Sequence, residues 1–396
     1  MKALSSHRDL VSALLTTALL SAVAGCGSAE NVPEVRSELG KAEEELALIA
    51  WPGLVENGST DASVNWVTSF SQRTGCTVTV KAATSVEQMR QLIDTGAYDG
   101  VSAPGILSRG LITDDAVEPI NPTLIKNFSG IVSGLKDQPW NSSSGQPYGV
   151  PQGRSASPLT WLPNVVKPAP SSLAALFDPA SPQRGKIMVE DTASSLAAVA
   201  LALRSARPEL RIENPYALNR EQFTAVVEQA RIAQPAVNLY WTDYTQQVRA
   251  LEEGSSVIGL AGQSVVSLVE TRGTKLQTTV PGNGVLGNSD TWMLLRGARH
   301  PSCMYRWMDH VLDPVVNAQI SEYYGQAPSV TAACGKTVDK SFCQTFHATD
   351  EGYYQNVWMA TTPGKSCVAG KGGSGKDKAC VGYADWQRAW QQLRQV

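Results

Sequence analysis

The chain has 396 residues, enough for two or three domains and a large buried core. Hydrophobic residues make up 42% and charged residues 17%, the balance of a soluble globular protein. A formal net charge of −3 and a sequence pI near 5.9 remove any electrostatic case for nucleic acid as a partner.

Residues 1–26 read as a targeting segment. Lys2, His7 and Arg8 form a short polar start, and residues 10–24 (LVSALLTTALLSAVA) form an apolar run too short to span a bilayer comfortably. The run ends in Val23-Ala24-Gly25-Cys26, which resembles the bacterial lipobox. That resemblance implies acylation of Cys26 and a lipid anchor on the outer face of a membrane, with several acyl chains making the attachment stable. A plain secretory signal with an incidental Cys26 is the alternative. Residues 27–44 are polar and read as a tether.

The ordered part begins with an apolar run at 46–51 (LALIAW), a candidate buried strand. Ser63 is placed to cap a helix carrying Val64, Val67 and Phe70 on one face, and Gly75 to end it. Residues 76–80 are β-branched and strand-like. Ser85 with Gln88 resembles a capping box, opening a helix lined by Met89, Leu92 and Ile93 that stops at Gly96. Residues 98–102 are the next strand. Alternation of this kind implies a parallel sheet covered on both faces.

Residues 146–161 (QPYGVPQGRSASPLTW) organise the chain. Pro147 and Pro151 stiffen the backbone, while Gly149 and Gly153 relax it. Between two α/β units, that is the pattern of a hinge strand crossing between lobes; a plain Pro/Gly-rich loop is the competing reading. Beyond it the spacing predicts strands at 186–190, 236–240 and 256–261, and helices at 192–205, 219–232, 244–253 and 264–271. Residues 278–287 are again Pro/Gly-rich and read as a second crossing. A strand at 291–295 and helices near Pro301 and Pro314 follow, with proline in the first turn. From residue 333 the chain becomes cysteine-bearing and glycine-rich, then ends in a helix-like run at 383–396.

Of the 7 cysteines, Cys26 belongs to the targeting segment and six remain. An even number in an exported protein suggests disulfides. Proximity pairs Cys334 with Cys343 and Cys367 with Cys380, which leaves Cys76 with Cys303 by elimination alone.

Catalytic signatures are sparse. The chain holds 4 histidines and no GxSxG elbow to accompany them, so a serine-hydrolase triad is not indicated. Residues 370–376 (GKGGSGK) imitate a phosphate loop, but Asp377 replaces the Ser or Thr and no apolar strand precedes them. No metal cluster or cofactor motif emerges.

In open α/β sheets ligands sit beyond the carboxyl ends of strands. The matching positions include Trp51, Ser102, Asp191, Trp241, Asp243 and Gln263. Gln152 in the crossing and Asp290 complete the candidate ligand-binding set. Aromatic rings there would stack on an organic ligand or face a cation, and carboxylates would pair with amines. A helix cap is the competing reading for Asp191, and a core ring or solvated carboxylate for the others.

Several blocks, in order, resemble the spermidine/putrescine-binding branch of the bacterial extracellular solute-binding proteins. They are residues 65–80 (NWVTSFSQRTGCTVTV), Tyr98-Asp99 with Val101, 148–151 (YGVP), 185–191 (GKIMVED), 240–244 (YWTDY), 287–295 (GNSDTWMLL), 312–316 and 324–329 (YGQAPS). The resemblance covers roughly residues 45–332. It implies an α/β, two-lobed periplasmic-binding-protein fold (type II-like), each lobe a mostly parallel sheet flanked by helices. Lobe 1 would hold residues 45–151 and 287–332, lobe 2 residues 152–286, and 333–396 would form a disulfide-bearing C-terminal segment.

The implied protein is a monomer without cofactor. It closes on a small polar or cationic solute and delivers it to an ABC permease, and it contacts the membrane through its lipid anchor only. Carried over residue by residue, Trp51 matches the family's first-strand aromatic, and Asp191 and Asp290 its ammonium-binding aspartates. Ser194, Asn288 and Gly262 depart from the family's glutamate and aromatics, which puts a polyamine in doubt. A fold-retaining surface lipoprotein acting through a protein partner, or a secreted enzyme, are the alternatives.

Overall fold

The computed structural model describes residues 35–367 and 378–395. The targeting segment with Cys26, tether residues 27–34 and the GKGGSGK stretch lie outside the described residues. Two five-stranded sheets, each the heart of one lobe, are joined by a smaller four-stranded sheet.

The first sheet runs Thr77–Ala82, Glu45–Ala50, Gly100–Ala103, Thr291–Leu294, Gly149–Pro151. Its first three strands are parallel, Thr291–Leu294 runs antiparallel to them, and Gly149–Pro151, antiparallel to that strand, runs in the first direction again. Period-two alternation sends Leu46, Leu48 and Ala50 into the core on one face and Ile49 into the core on the other, so both faces are buried. The second sheet runs Val237–Trp241, Ile187–Glu190, Ile258–Leu260, Leu159–Trp161, Gln277–Thr279. The alanine-rich helix Ser195–Ala206 is buried over most of its length against this sheet's core.

Residues 149–161 pass through three sheets in succession: Gly149–Pro151 in the first, Gly153–Ser157 in the middle one, Leu159–Trp161 in the second. The middle, connecting sheet is ordered Ala327–Pro328, Gly153–Ser157, Val285–Asn288, Val357–Met359. Here the glycines serve close approach rather than softness. A Cβ at Gly149 would lie 2.3 Å from the Trp292 carbonyl oxygen, and one at Gly153 would lie 2.6 Å from that of Ala327. Neither glycine has a positive φ.

Several elements differ from expectation. The first helix is Val67–Thr74, without a side-chain cap, because Ser63 is engaged in a turn in which its N–H and hydroxyl donate to Asp61. Ser85 does cap Val86–Asp94 by accepting from Gln88, but the Gln88 side chain reaches the N–H of Thr84 instead of Ser85. Helix Gly105–Thr113 has no counterpart in the sequence reading, since its glycines at 105 and 110 weaken the periodic signal.

Cys76 pairs with Cys303, tying the second strand's start to helix Pro301–Val311, and Cys334 pairs with Cys343. Cys380 is disulfide-bonded; the side chain of Cys367 lies outside the described residues.

The C-terminal segment is structural throughout the described part. Val357–Met359 adds a strand to the connecting sheet. Thr362 then inserts into helix Gly105–Thr113, donating to the Ile106 carbonyl at 2.8 Å and accepting from the Gly110 N–H at 2.9 Å. Finally, helix Tyr383–Arg394 packs on the second lobe through Trp386, Trp390 and Leu393. The chain therefore crosses between lobes a third time.

Candidate functional site

The connecting sheet carries the floor of the gap between the lobes. Along Gly153–Ser157 burial alternates: Arg154 and Ala156 are buried, Ser155 and Ser157 half-buried. Its partner strand alternates in step, with Leu286 and Asn288 half-buried and paired to Ser157 and Ser155. Those four side chains share one face. The opposite face holds Arg154, which donates to the Ala348 carbonyl at 3.0 Å and to Glu351 at 2.7 Å, and lies 3.6 Å from the centre of the Tyr354 ring.

At the first-lobe end of this floor stands Asp290. It is 3% exposed and accepts one hydrogen bond, 2.6 Å from the Asn288 amide. Asn288 is itself oriented by the N–H of Gly105, which donates to its carbonyl oxygen at 3.3 Å. Among the described residues no Lys, Arg or His pairs with Asp290. Burial pushes its carboxyl up to about 7, against the lowering effect of Asn288. Tyr324 stands close by: burial raises its phenol, and the charge of Asp290 adds to the shift. Trp51 follows the first strand as expected and is half-buried between the two first-lobe cores.

At the second-lobe end stands Glu190, the last residue of its strand. Part of the residue reaches solvent, while burial of its carboxyl pushes it up to about 7. With Ser157, Ser195, Trp241, Leu260 and Leu286 it lines a small depression of about 40 Å³. The Trp241 indole N–H is buried there without a partner among the described residues. Two phenols flank the carboxyl, Tyr216 and Tyr383. Burial raises both first, and the charge of Glu190 raises both further. Tyr383 also feels Arg90 and Glu87 of the first lobe.

Most of the remaining expected ligand residues have other partners, while Ser102 Oγ is buried without a hydrogen-bond partner among the described residues. Asp191 accepts from Trp390 Nε1 at 2.9 Å and from Arg394 at 3.0 and 3.3 Å, with the Arg394 guanidinium 3.7 Å from the Tyr240 ring centre. It anchors the last helix. Gln152 is fully buried; its side-chain oxygen accepts from Trp292 Nε1 and its N–H donates to the Asp290 carbonyl at 2.8 Å. Ser102 is fully buried inside the first sheet opposite Trp292. Asp243 is exposed and caps helix Tyr244–Glu253 in a full capping box. Gln263 opens helix Gln263–Thr271 and donates to Ser267 at 3.2 Å.

Each lobe thus carries an acid, Asp290 or Glu190, that no basic side chain among the described residues neutralises. Among the described residues of this arrangement no nucleophile is paired with a base. Glu190 escapes the sequence reading because it is adjacent to Asp191, and only the strand's pleat decides which of two neighbouring acids the last helix pairs.

Solved structures share this architecture. A spermidine/putrescine ABC transporter substrate-binding protein of Streptococcus pneumoniae superposes with a TM-score of 0.66 at 16% identity, covering 88% of this chain and 99% of that one. A lipoprotein of Treponema pallidum gives 0.68 at 15% identity, over 89% and 100%. A binding protein of A. tumefaciens in complex with glucopine gives 0.63 at 14%, over 88% and 99%. At these identities the likeness is one of fold: a two-lobed binding protein. The model of the bacterial extracellular solute-binding proteins matches residues 65–342, and the chain belongs to that family.

Proposed function

We propose that this chain is the lipid-anchored substrate-binding protein of an ABC-type importer, closing its two lobes on a small cationic solute bearing an amine. The observation that carries the solute class is Asp290. A carboxyl 3% exposed, with one amide donor and no basic partner among the described residues, is costly until a cation arrives. Tyr324 supplies a ring close to it, and Trp51 a second at the end of the first strand, both suited to stacking against a cation.

Membership of an extracellular solute-binding family supports an extracytoplasmic location, and the ABC-transporter neighbours support an importer partner. The lipobox at Val23–Cys26 supports anchorage through Cys26, with the protein acting as a monomer in the lobe-closing step. No helix among the described residues is long and apolar enough to cross a membrane.

Isothermal titration against small amines, with acidic and neutral solutes of matching size, tests the reading. Binding restricted to amines, lost in Asp290→Asn, is the expected result. Tight binding of an anionic solute, or amine binding unchanged in Asp290→Asn, overturns it. Labelling with a fatty-acid analogue in cells, lost in Cys26→Ala, tests the anchor.

A further inference from the structure

We propose that Thr362 is a latch between the lobes. Its hydroxyl, held in helix Gly105–Thr113 of the first lobe, ends a strap whose other end is the second-lobe helix Tyr383–Arg394, and it must withdraw before the gap can widen. This rests on the lobe motion of the proposed importer cycle and not on the identity of the solute.

The strap is short and firmly held at its second-lobe end. Trp386 stacks on Tyr216, the Leu393 carbonyl accepts from Gln234 at 2.9 Å, and Asp191 binds both Trp390 and Arg394. The Val381 N–H donates to the Leu218 carbonyl at 2.9 Å. A hairpin joins this end to Thr362. Ser366–Cys367 pairs antiparallel with Lys378–Ala379, and the Cys380 N–H donates to the Lys365 carbonyl at 2.7 Å. The Tyr383 N–H donates to the Pro363 carbonyl at 3.0 Å. Pro363 follows Thr362 directly, so one residue and one hydrogen bond separate the first-lobe latch from the second-lobe helix. Parting of the lobes at this edge by more than that length breaks either the hairpin or the contacts of Thr362.

At the first-lobe end the hold is a single side chain. Ile106 and Gly110 are four residues apart, so their carbonyl and N–H are the two groups that one helical bond pairs. The Thr362 hydroxyl bridges them, donating to the Ile106 carbonyl at 2.8 Å and accepting from the Gly110 N–H at 2.9 Å. It is a side chain set into the helical ladder. When it withdraws, the two groups can bond each other, so release orphans neither of them. The helix therefore has two satisfied arrangements, one latched through Thr362 and one closed on itself. The approach is sterically prepared as well. A Cβ at Gly105 would lie 2.0 Å from the carbonyl oxygen of Ala360, two residues before Thr362, so glycine is what admits the strap.

The test is hydrogen exchange of the full-length protein, read by mass spectrometry, in wild type, Thr362→Val, Thr362→Ser and Gly105→Ala. The readout is a second contact between the lobes, where a Cβ at Gly325 of the first would lie 2.6 Å from the Cβ of Ser264 of the second. Neither residue belongs to the strap or to helix Gly105–Thr113. Thr362→Val keeps the shape and loses both hydrogen bonds, so exchange at residues 262–266 and 322–327 is expected to quicken by about tenfold. Strand Glu45–Ala50 and helix Ser195–Ala206 are expected to keep wild-type rates. Thr362→Ser retains the hydroxyl and is expected to match wild type, while Gly105→Ala, which expels the strap, is expected to match Thr362→Val. Unchanged exchange at the Gly325–Ser264 contact in Thr362→Val, equal quickening in Thr362→Ser, or acceleration of every segment alike overturns the latch. If circular dichroism shows Thr362→Val unfolded, Gly105→Ala decides, and wild-type exchange at that contact overturns the proposal. No outcome depends on the solute, so the amine titration can fail while the latch stands.

Discussion

Replacing Asp290 by asparagine should stabilise the empty protein above neutral pH while destroying its capture of amines. The Asp290 carboxyl lies near 7 in the folded chain against an ordinary value of 3.8, a rise caused by burial. The folded state therefore binds the proton more tightly than the unfolded state. Below about pH 4 both forms are protonated and the residue is neutral in both. Between pH 4 and 7 the unfolded chain releases its proton first, and stability falls as pH rises.

Above 7 the full penalty is present. A rise from 3.8 to about 7, at 1.36 kcal/mol for each pH unit, gives about 4 kcal/mol, an upper bound because buried sites relax. Asparagine keeps the oxygen that accepts from Asn288 and carries no charge. Thermal melting of both proteins between pH 4 and pH 8 is the assay. The curves should coincide near pH 4 and separate by several degrees at pH 8, the variant melting higher. A gap independent of pH, or a variant no more stable at pH 8, refutes the account of Asp290 as an uncompensated buried acid. A cation that neutralises Asp290 should raise the wild-type melting temperature at pH 8 and leave the variant unmoved.

Other perturbations separate scaffold from site. Asp191→Ala should lower the melting temperature by loosening Trp390 and Arg394, while amine affinity measured by calorimetry stays within about threefold; a tenfold loss would return Asp191 to the ligand set. Glu351→Gln leaves the buried Arg154 guanidinium without its carboxylate and should cost on the order of 3 kcal/mol in denaturant unfolding. Replacing Cys76 and Cys303 together by alanine opens a bridge 227 residues apart in sequence whose cysteines are both fully buried, and should cost about 2–4 kcal/mol by the same assay.

Much of the scaffold is legible without coordinates. Helix Tyr244–Glu253 has the same bounds in the sequence reading and in the structure, because a capping Asp243 and a left-handed Gly254 are local signals that need no tertiary context. The crossing at residues 146–161 and the pairs Cys76–Cys303 and Cys334–Cys343 are also readable. Helix Gly105–Thr113 is not, and its Gly105 is required by a neighbour far along the chain: a Cβ there would lie 2.0 Å from the Ala360 carbonyl oxygen.

The sequence by itself determined the order of elements, the crossing between lobes and the set of acids and rings at strand ends. Those follow from periodicity, caps and spacing, which act over a few residues. Only the tertiary structure decided which acids are free. Glu190 and Asp191 are neighbours at one strand end, and nothing local separates them. Their roles divide because the pleat sends adjacent side chains to opposite sides, and the final helix brings Arg394 and Trp390 to one side alone.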